Sequence, residues 1–449
     1  MQNKVAPTIK KNYIKPFIFM VILMALIGFI TGMNQQFQVP LKNTFLEEAG
    51  KAKNTLSNLL NFVFFAAYLV MGPIAARYLN RKGYKSSLLV GILCVAVAML
   101  IFESSVLLYL YRWVDGSDFQ AINQLSIFSI KVPLSFFVFL VGSFLCGTGL
   151  TYLQTSVNPY LVVCTVPGTT GITRQNIGGV GNSLMATFTP FFVAYVIFGG
   201  VKVETLSVDA MIVPFIVLFI LLLVLYFAVY KVSLPHLEGT TDKSNERLRD
   251  TVFRYRHLVL GTLALGTYVG CEVCIGANLV TAWEDTFRSA NPLATDSLLK
   301  SEYATAALWS TFYWGAMLIG RFLSSFLSKV SAQRQLTIST ALAIVAITIS
   351  IFTQNLKILV AVGLMHSVMW GAIFSLALEG LGKYTVAGSG ILLTGLIGGA
   401  ILPLLQGIWA DAAGSWHYSW FLVLAGEIFI FYYAIHGHKV IQPTSRVNS

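Results

Sequence analysis

Apolar runs of about twenty residues, separated by short polar and charged stretches, recur from one end of the chain to the other. A bilayer hydrocarbon core of about 30 Å, crossed at a rise of about 1.5 Å per residue, asks for roughly 20 apolar residues per helix. The pattern predicts spans near 16–36, 55–76, 86–110, 132–163, 175–199, 209–230, 257–282, 303–327, 336–352, 357–379, 387–411 and 417–435. Lys4, Lys10, Lys11 and Lys15 precede the first run as they would a secretory signal, but that run is long and opens a series of others. It is read as a retained helix.

The rhythm breaks once, at the midpoint. Residues 231–256, KVSLPHLEGTTDKSNERLRDTVFRYR, are dense in charge and turn formers and divide the chain into halves of six spans, 1–230 and 257–449. The predicted fold is an all-α membrane protein of twelve transmembrane helices in two six-helix bundles; this arrangement resembles the major facilitator fold, and the resemblance implies a substrate site between the halves near the bilayer midplane.

Composition agrees with lipid as the solvent. The chain is 56% hydrophobic and 11% charged, against about 25% charged for a soluble domain. With the N-terminus placed in the cytoplasm, 21 of the 30 Lys and Arg residues fall on the cytoplasmic side, so the positive-inside rule predicts an inner (plasma) membrane protein with both termini cytoplasmic. Basic loops facing anionic headgroups account for the net charge of +11 without a nucleic-acid partner. Arg77, Arg81 and Lys82, after Gly72 and Pro73, are candidates for a gating latch between the second and third spans, with ordinary positive-inside charge as the alternative.

Five cysteines lie in or beside apolar segments and are read as small buried hydrophobes. Cys271 and Cys274 form a CxxC with no second Cys or His pair, which is not a zinc pattern. No metal or cofactor is expected, and no phosphate loop or nucleophile–base motif points to an enzyme.

Polar groups inside spans carry the functional reading, since a charge at the bilayer centre costs about 2.5–3.5 kcal/mol on insertion scales. Glu272, between Gly270 and Gly276, is expected to face a central cavity, with a buried structural partner as the alternative. Glu103 and Glu427 are read as structural, and Glu379 and Asp411 as capping or gating residues at span ends. Gln154 and Asn158 are four apart before Pro159, which places both amides on one helical face; amides offer a donor and an acceptor to vicinal hydroxyls. Asn34, Gln35, Gln36 and Gln38 form a polar run expected to line the cavity or its mouth. In the fifth span Gln175 and Asn182 share a face with Gly178. His366 and Trp370 are four apart, the indole as a platform for a sugar ring and the imidazole for ligand contact or proton handling, against a buried structural histidine. Trp309 and Tyr313 are read as packing.

Three segments carry a resemblance: GTGLTYLQTSVNPYL (147–161), YVGCEVCIGAN (268–278, ending on Asn278) and IFSLALEGLGKYTVAGSGILLTGLIGGAILPLLQGIWADAAG (373–414). They resemble the fucose/galactose/glucose:proton symporter family. The resemblance implies alternating access about a central sugar. It also implies departures: Gln154 stands where fucose-transporting members have a proton-handling glutamate, Gln35 where they have an aspartate, and Gly179 where they have a sugar-contacting glutamine, whereas Asn176 and Asn182 are retained.

The expected function is therefore secondary active uptake of a neutral hexose or a related amino sugar, coupled to H+ or Na+ through Glu272 and His366. Its partners are the small-molecule sugar and membrane lipid, and a monomer is expected. The alternatives are an uncoupled sugar facilitator and, from another class, an exporter of hydrophobic solutes.

Overall fold

The computed structural model describes residues 14–36, 45–46, 53–111, 124–127, 130–192, 196, 208–231, 234, 254–293 and 296–440. The N-terminal half contains α1 (Ile14–Gln36), α2 (Lys53–Tyr111), α3 (Leu134–Val163), α4 (Gly171–Phe191) and α5 (Ile212–Lys231). The C-terminal half contains α6 (Arg256–Ala290), α7 (Asp296–Ser324), α8 (Ala332–Thr353), α9 (Ile358–His366), α10 (Met369–Leu378), α11 (Thr385–Thr394), α12 (Gly398–Ala413) and α13 (Trp420–Tyr432).

Among the described residues nine segments are long and apolar enough to cross a membrane. One of them, Leu59–Tyr111, holds two spans on either side of Gly83. Gly83 has φ +82°, a left-handed conformation that turns the chain back on itself and that other residues resist. Helices α4 and α7 are less apolar than these, yet run for 21 and 29 residues inside the bundle and complete twelve spans.

Two spans read as single helices are broken. The tenth splits into α9 and α10 around Ser367 and Val368, and the eleventh into α11 and α12 around a 3-10 turn, Gly395–Ile397. A short hairpin, Gln124–Ile127 paired antiparallel with Ile130–Pro133, precedes the fourth span, where the sequence predicts helix from 132. Most of the charged midpoint, 235–253, lies outside the described residues.

Lipid-facing surface concentrates on α5 and α8. Val213, Val224 and Phe227, and Ile338, Val345 and Phe352, are more than half exposed, as peripheral spans in hydrocarbon require. At the other extreme, Arg174 is buried and satisfies the end of α3. Its Nε donates to Leu161 O (2.7 Å), Nη2 to Val162 O (2.5 Å) and Nη1 to Thr169 O (3.1 Å). The last carbonyls of a helix lack intrahelical partners, and here the guanidinium supplies them.

The halves meet closely at the end of the bundle that carries the turn at Gly83 and loops 325–331 and 379–384. There Gly72 of α2 and Gly390 of α11 pack backbone to backbone; a Cβ on Gly390 would lie 2.5 Å from both Gly72 O and the Ala76 Cβ.

Candidate functional site

Above this contact the halves diverge around a cavity of about 370 Å3. From the N-terminal half, α3 contributes Gln154, and α4 contributes Gln175, Asn176, Asn182, Ser183 and Thr187, with Thr31 of α1 and Phe64, Phe65 and Tyr68 of α2 beside them. From the C-terminal half come Glu272 of α6, Thr311, Trp314 and Arg321 of α7, Ser367, and Trp370 of α10. Polar faces on α4 and α7 are what lowers their hydropathy, so the two spans least like lipid-soluble helices are cavity walls.

Several wall groups are held by bonds that leave part of their capacity open. Gln154 Nε2 donates to Tyr68 Oη (2.9 Å), and Asn182 Nδ2 donates to Met24 O (3.1 Å), tying α4 to α1. Gln175 Nε2 donates to Asn158 O (2.8 Å). Gln175 Oε1, Asn176 Nδ2 and Trp370 Nε1 are buried with no partner among the described residues. Such atoms cost free energy unless water or a ligand meets them. Trp370 stacks on Phe374, with centroids 5.8 Å apart and planes at 25°, which fixes the indole plane.

Glu272 and Arg321 put one carboxylate and one guanidinium in the same cavity. The Tyr268 hydroxyl is an electrostatic neighbour of both. Arg321 spans the two halves: Nη1 donates to Ser183 Oγ of α4, and Nε donates to Ser367 O (3.3 Å). The break between α9 and α10 exposes that carbonyl. The Arg321 Cδ also fills the space in front of Gly179, 3.3 Å from where a Cβ would stand.

Of the residues expected at the site, Gln154, Asn176, Asn182, Glu272 and Trp370 share this cavity. Others are placed elsewhere. Asn158 is fully buried and its Nδ2 donates to Gln154 O (3.1 Å), one turn back in its own helix. Asn34 accepts from Ser143 Oγ (3.1 Å) and borders a separate apolar pocket between α1, α2, α3 and α5. Asn278 donates to Gln406 Oε1 (2.9 Å), joining α6 to α12. His366 is buried behind the wall, between Tyr313 and Glu427. Gln38 lies outside the described residues, as do the side chains of Gln35, Gln36 and Asp411.

Arg77, Arg81 and Lys82 are exposed at the closed end. Glu103 is buried outside the cavity, and the backbone carbonyl of Glu379 pairs with His257 Nε2 (2.9 Å). Arg321 and Trp314 line the cavity and were not among the residues expected there. The available signal was an arginine inside an apolar run, AMLIGRFLSSFL.

Residues 24–396 match the profile described as Major Facilitator Superfamily. A protein of Brucella abortus named glucose/galactose transporter is 30% identical over 438 residues, covering 96% of each chain. A putative glucose/galactose transporter of Helicobacter pylori is 28% identical, covering 93% of this chain and 95% of its own. The L-fucose-proton symporter of Escherichia coli is 24% identical, with coverages of 90% and 89%. Among solved structures, a Major Facilitator Superfamily transporter, FucP, in the outward conformation, aligns with a TM-score of 0.74 at 22% identity, covering 94% of this chain and 98% of that one. The proton:xylose symporter XylE aligns with a TM-score of 0.64 at 13% identity, covering 93% and 95%.

Proposed function

This chain belongs to the Major Facilitator Superfamily, a multi-pass membrane transporter family, and we propose that it takes up a neutral hexose, or a related amino sugar, by alternating access. The observation that carries the reading is the cavity between the halves. Its amides and hydroxyls can exchange donors and acceptors with vicinal hydroxyls, while Trp314 and Trp370 present apolar faces suited to the C–H face of a pyranose. Its volume falls in the range of about 300–1,000 Å3 usual for small-ligand sites. Names of the relatives support the substrate class: glucose and galactose for two of them and L-fucose for a third.

We place both termini in the cytoplasm of the inner membrane, which makes the closed end cytoplasmic and the conformation outward-facing. Rocking of the halves about the sugar would then part the Gly72–Gly390 seam and the Arg321–Ser183 bond while closing the opposite end. Arg77, Arg81 and Lys82 are proposed to steady the closed end, and a single chain encloses the site, which supports a monomer as the transport unit. Since Gln154 cannot titrate, ion coupling is proposed to fall on the ionisable groups at and just behind the C-terminal wall, where Glu272 lines the cavity and His366 lies behind it.

The test is transport by purified protein in proteoliposomes. Vesicles preloaded with unlabelled hexose should take up labelled hexose by counterflow, and an inward proton or sodium gradient should drive accumulation above the outside level. Counterflow without accumulation favours the uncoupled facilitator, for which Gln at the 154 position is the supporting observation. Absence of counterflow across a panel of hexoses and amino sugars refutes the sugar reading.

A further inference from the structure

Behind the cavity wall, three helices of the C-terminal half bring together a chain of ionisable groups. His366, at the end of α9, and Glu427, in the middle of α13, are both fully buried, with Nε2 and Oε1 2.8 Å apart. Tyr313 of α7, also fully buried, places its hydroxyl 2.7 Å from His366 Nδ1 and 3.3 Å from the backbone carbonyl of Glu272. The other carboxylate oxygen, Glu427 Oε2, is buried with no partner among the described residues. The pair is separated from the cavity by little more than its own neighbours, because Ser367 and Glu272 both line it.

A buried ion pair is weak evidence of stability, since well-packed apolar side chains often serve a fold as well or better. Ionisable groups inside a membrane more often mark ion routes. Proton counting shows what this arrangement can do. When Tyr313 donates to the Glu272 carbonyl, its oxygen accepts from His366 Nδ1–H, and the Nε2–Oε1 contact holds a second proton; the pair is then neutral overall. When Tyr313 instead donates to Nδ1, the imidazole keeps only its Nε2 proton, which faces the Glu427 carboxylate, and the pair carries one negative charge. The two states differ by one proton. They also differ in whether the hydroxyl grips the Glu272 carbonyl, in the helix that forms the cavity wall.

Resting on the sugar-transport reading, we propose that the coupling ion is a proton carried by the His366–Glu427 pair, outside the sugar cavity, and that Tyr313 reports its presence to α6. Other ionisable groups facing the pair are Tyr268, Cys271 and Glu272 of α6; residues 335–353 of α8 contain none. The cation on α7, Arg321, is engaged with Ser183 and Ser367, not with Glu427. Among the described residues the pair therefore has no cationic partner beyond His366 itself, and the two states drawn above differ by one proton per transport cycle.

Proteoliposomes distinguish the possibilities, with counterflow first establishing that the sugar is carried. A pH gradient of one unit, acid outside, is worth a factor of ten per proton, so wild-type protein should accumulate the sugar about tenfold. E427Q should fall to about onefold, with counterflow by the same vesicles reporting folded, inserted protein. H366N, which keeps a side-chain amide in place of the ring, should do the same and decides the matter should E427Q not insert. The wild type should also show a pH-dependent counterflow rate that flattens in both variants. Either variant accumulating sugar like wild type, or a wild type driven by sodium and not by protons, overturns the proposal. A wild type without any counterflow would instead overturn the sugar reading beneath it.

Discussion

Replacing Gly390 with alanine tests whether the contact between halves at Gly72 and Gly390 holds the closed end shut. The new methyl would sit 2.5 Å from the Ala76 Cβ and from Gly72 O, where carbon contacts are at ease at about 3.5–4.0 Å. Both obstacles are helix backbone or its first carbon, so neither can swing away, and relief requires the halves to part by about 1 Å. Overpacking of this kind costs about 1–3 kcal/mol. Because the clash lies between the halves, that cost falls on the closed conformation alone. The equilibrium should therefore shift roughly 5- to 150-fold toward separation at this end. Spin labels at two exposed positions there, Thr165 and Lys329, report the separation by pulsed electron resonance. G390A should raise the ratio of the longer to the shorter distance by that factor. G407A is the control, since a Cβ at Gly407 meets nothing within 4 Å. A distance distribution for G390A that matches wild type would refute the reasoning.

Other consequences follow from the same contacts. W370A should raise the sugar KM roughly 5- to 30-fold, the loss of about 1–2 kcal/mol of ring contact, and W370F should recover part of it in counterflow assays. Arg174→Met should remove the guanidinium bonds to Leu161 O and Val162 O, leaving Leu161 O only the weak Cys164 Sγ contact at 3.8 Å; at about 1.5–3 kcal/mol per hydrogen bond to a charged group, the Tm of the purified protein should fall by several degrees. Arg321→Gln removes the charge that spans Ser183 and Ser367, and should speed opening of the closed end in the spin-label assay while weakening sugar binding.

The fold was legible in the sequence because hydrocarbon enforces one rule on every span. The breaks in the tenth and eleventh spans were not, since Ser367 and Gly395 interrupt apolar runs without altering their hydropathy. At the site, spacing predicted that Gln154 and Asn158 share a face. Asn158 nevertheless turns back on its own helix, where its Nδ2 donates to the Gln154 carbonyl one turn away.

Pairing across helices is what a single sequence hides. Nothing local to His366 names Glu427, 61 residues later, as its partner, and nothing local to Arg321 shows that its side chain crosses to α4. Both become visible only when helices from different parts of the chain lie side by side. Glu272 was found by its charge and Trp370 by its spacing from His366; Trp314, one of several aromatics on α7, offered no distinguishing pattern.

The central claim is that uncharged hydrogen-bonding groups from both halves converge on one sugar. Thermal unfolding of purified wild-type protein, scanned against a panel of monosaccharides beside N176A and W370A, tests it most directly, because one altered residue lies in each half. A hexose or amino sugar should raise the wild-type Tm saturably, with both variants needing about tenfold more sugar for the same shift. A wild type that no monosaccharide stabilises, or variants from both halves that respond like wild type, would contradict the account.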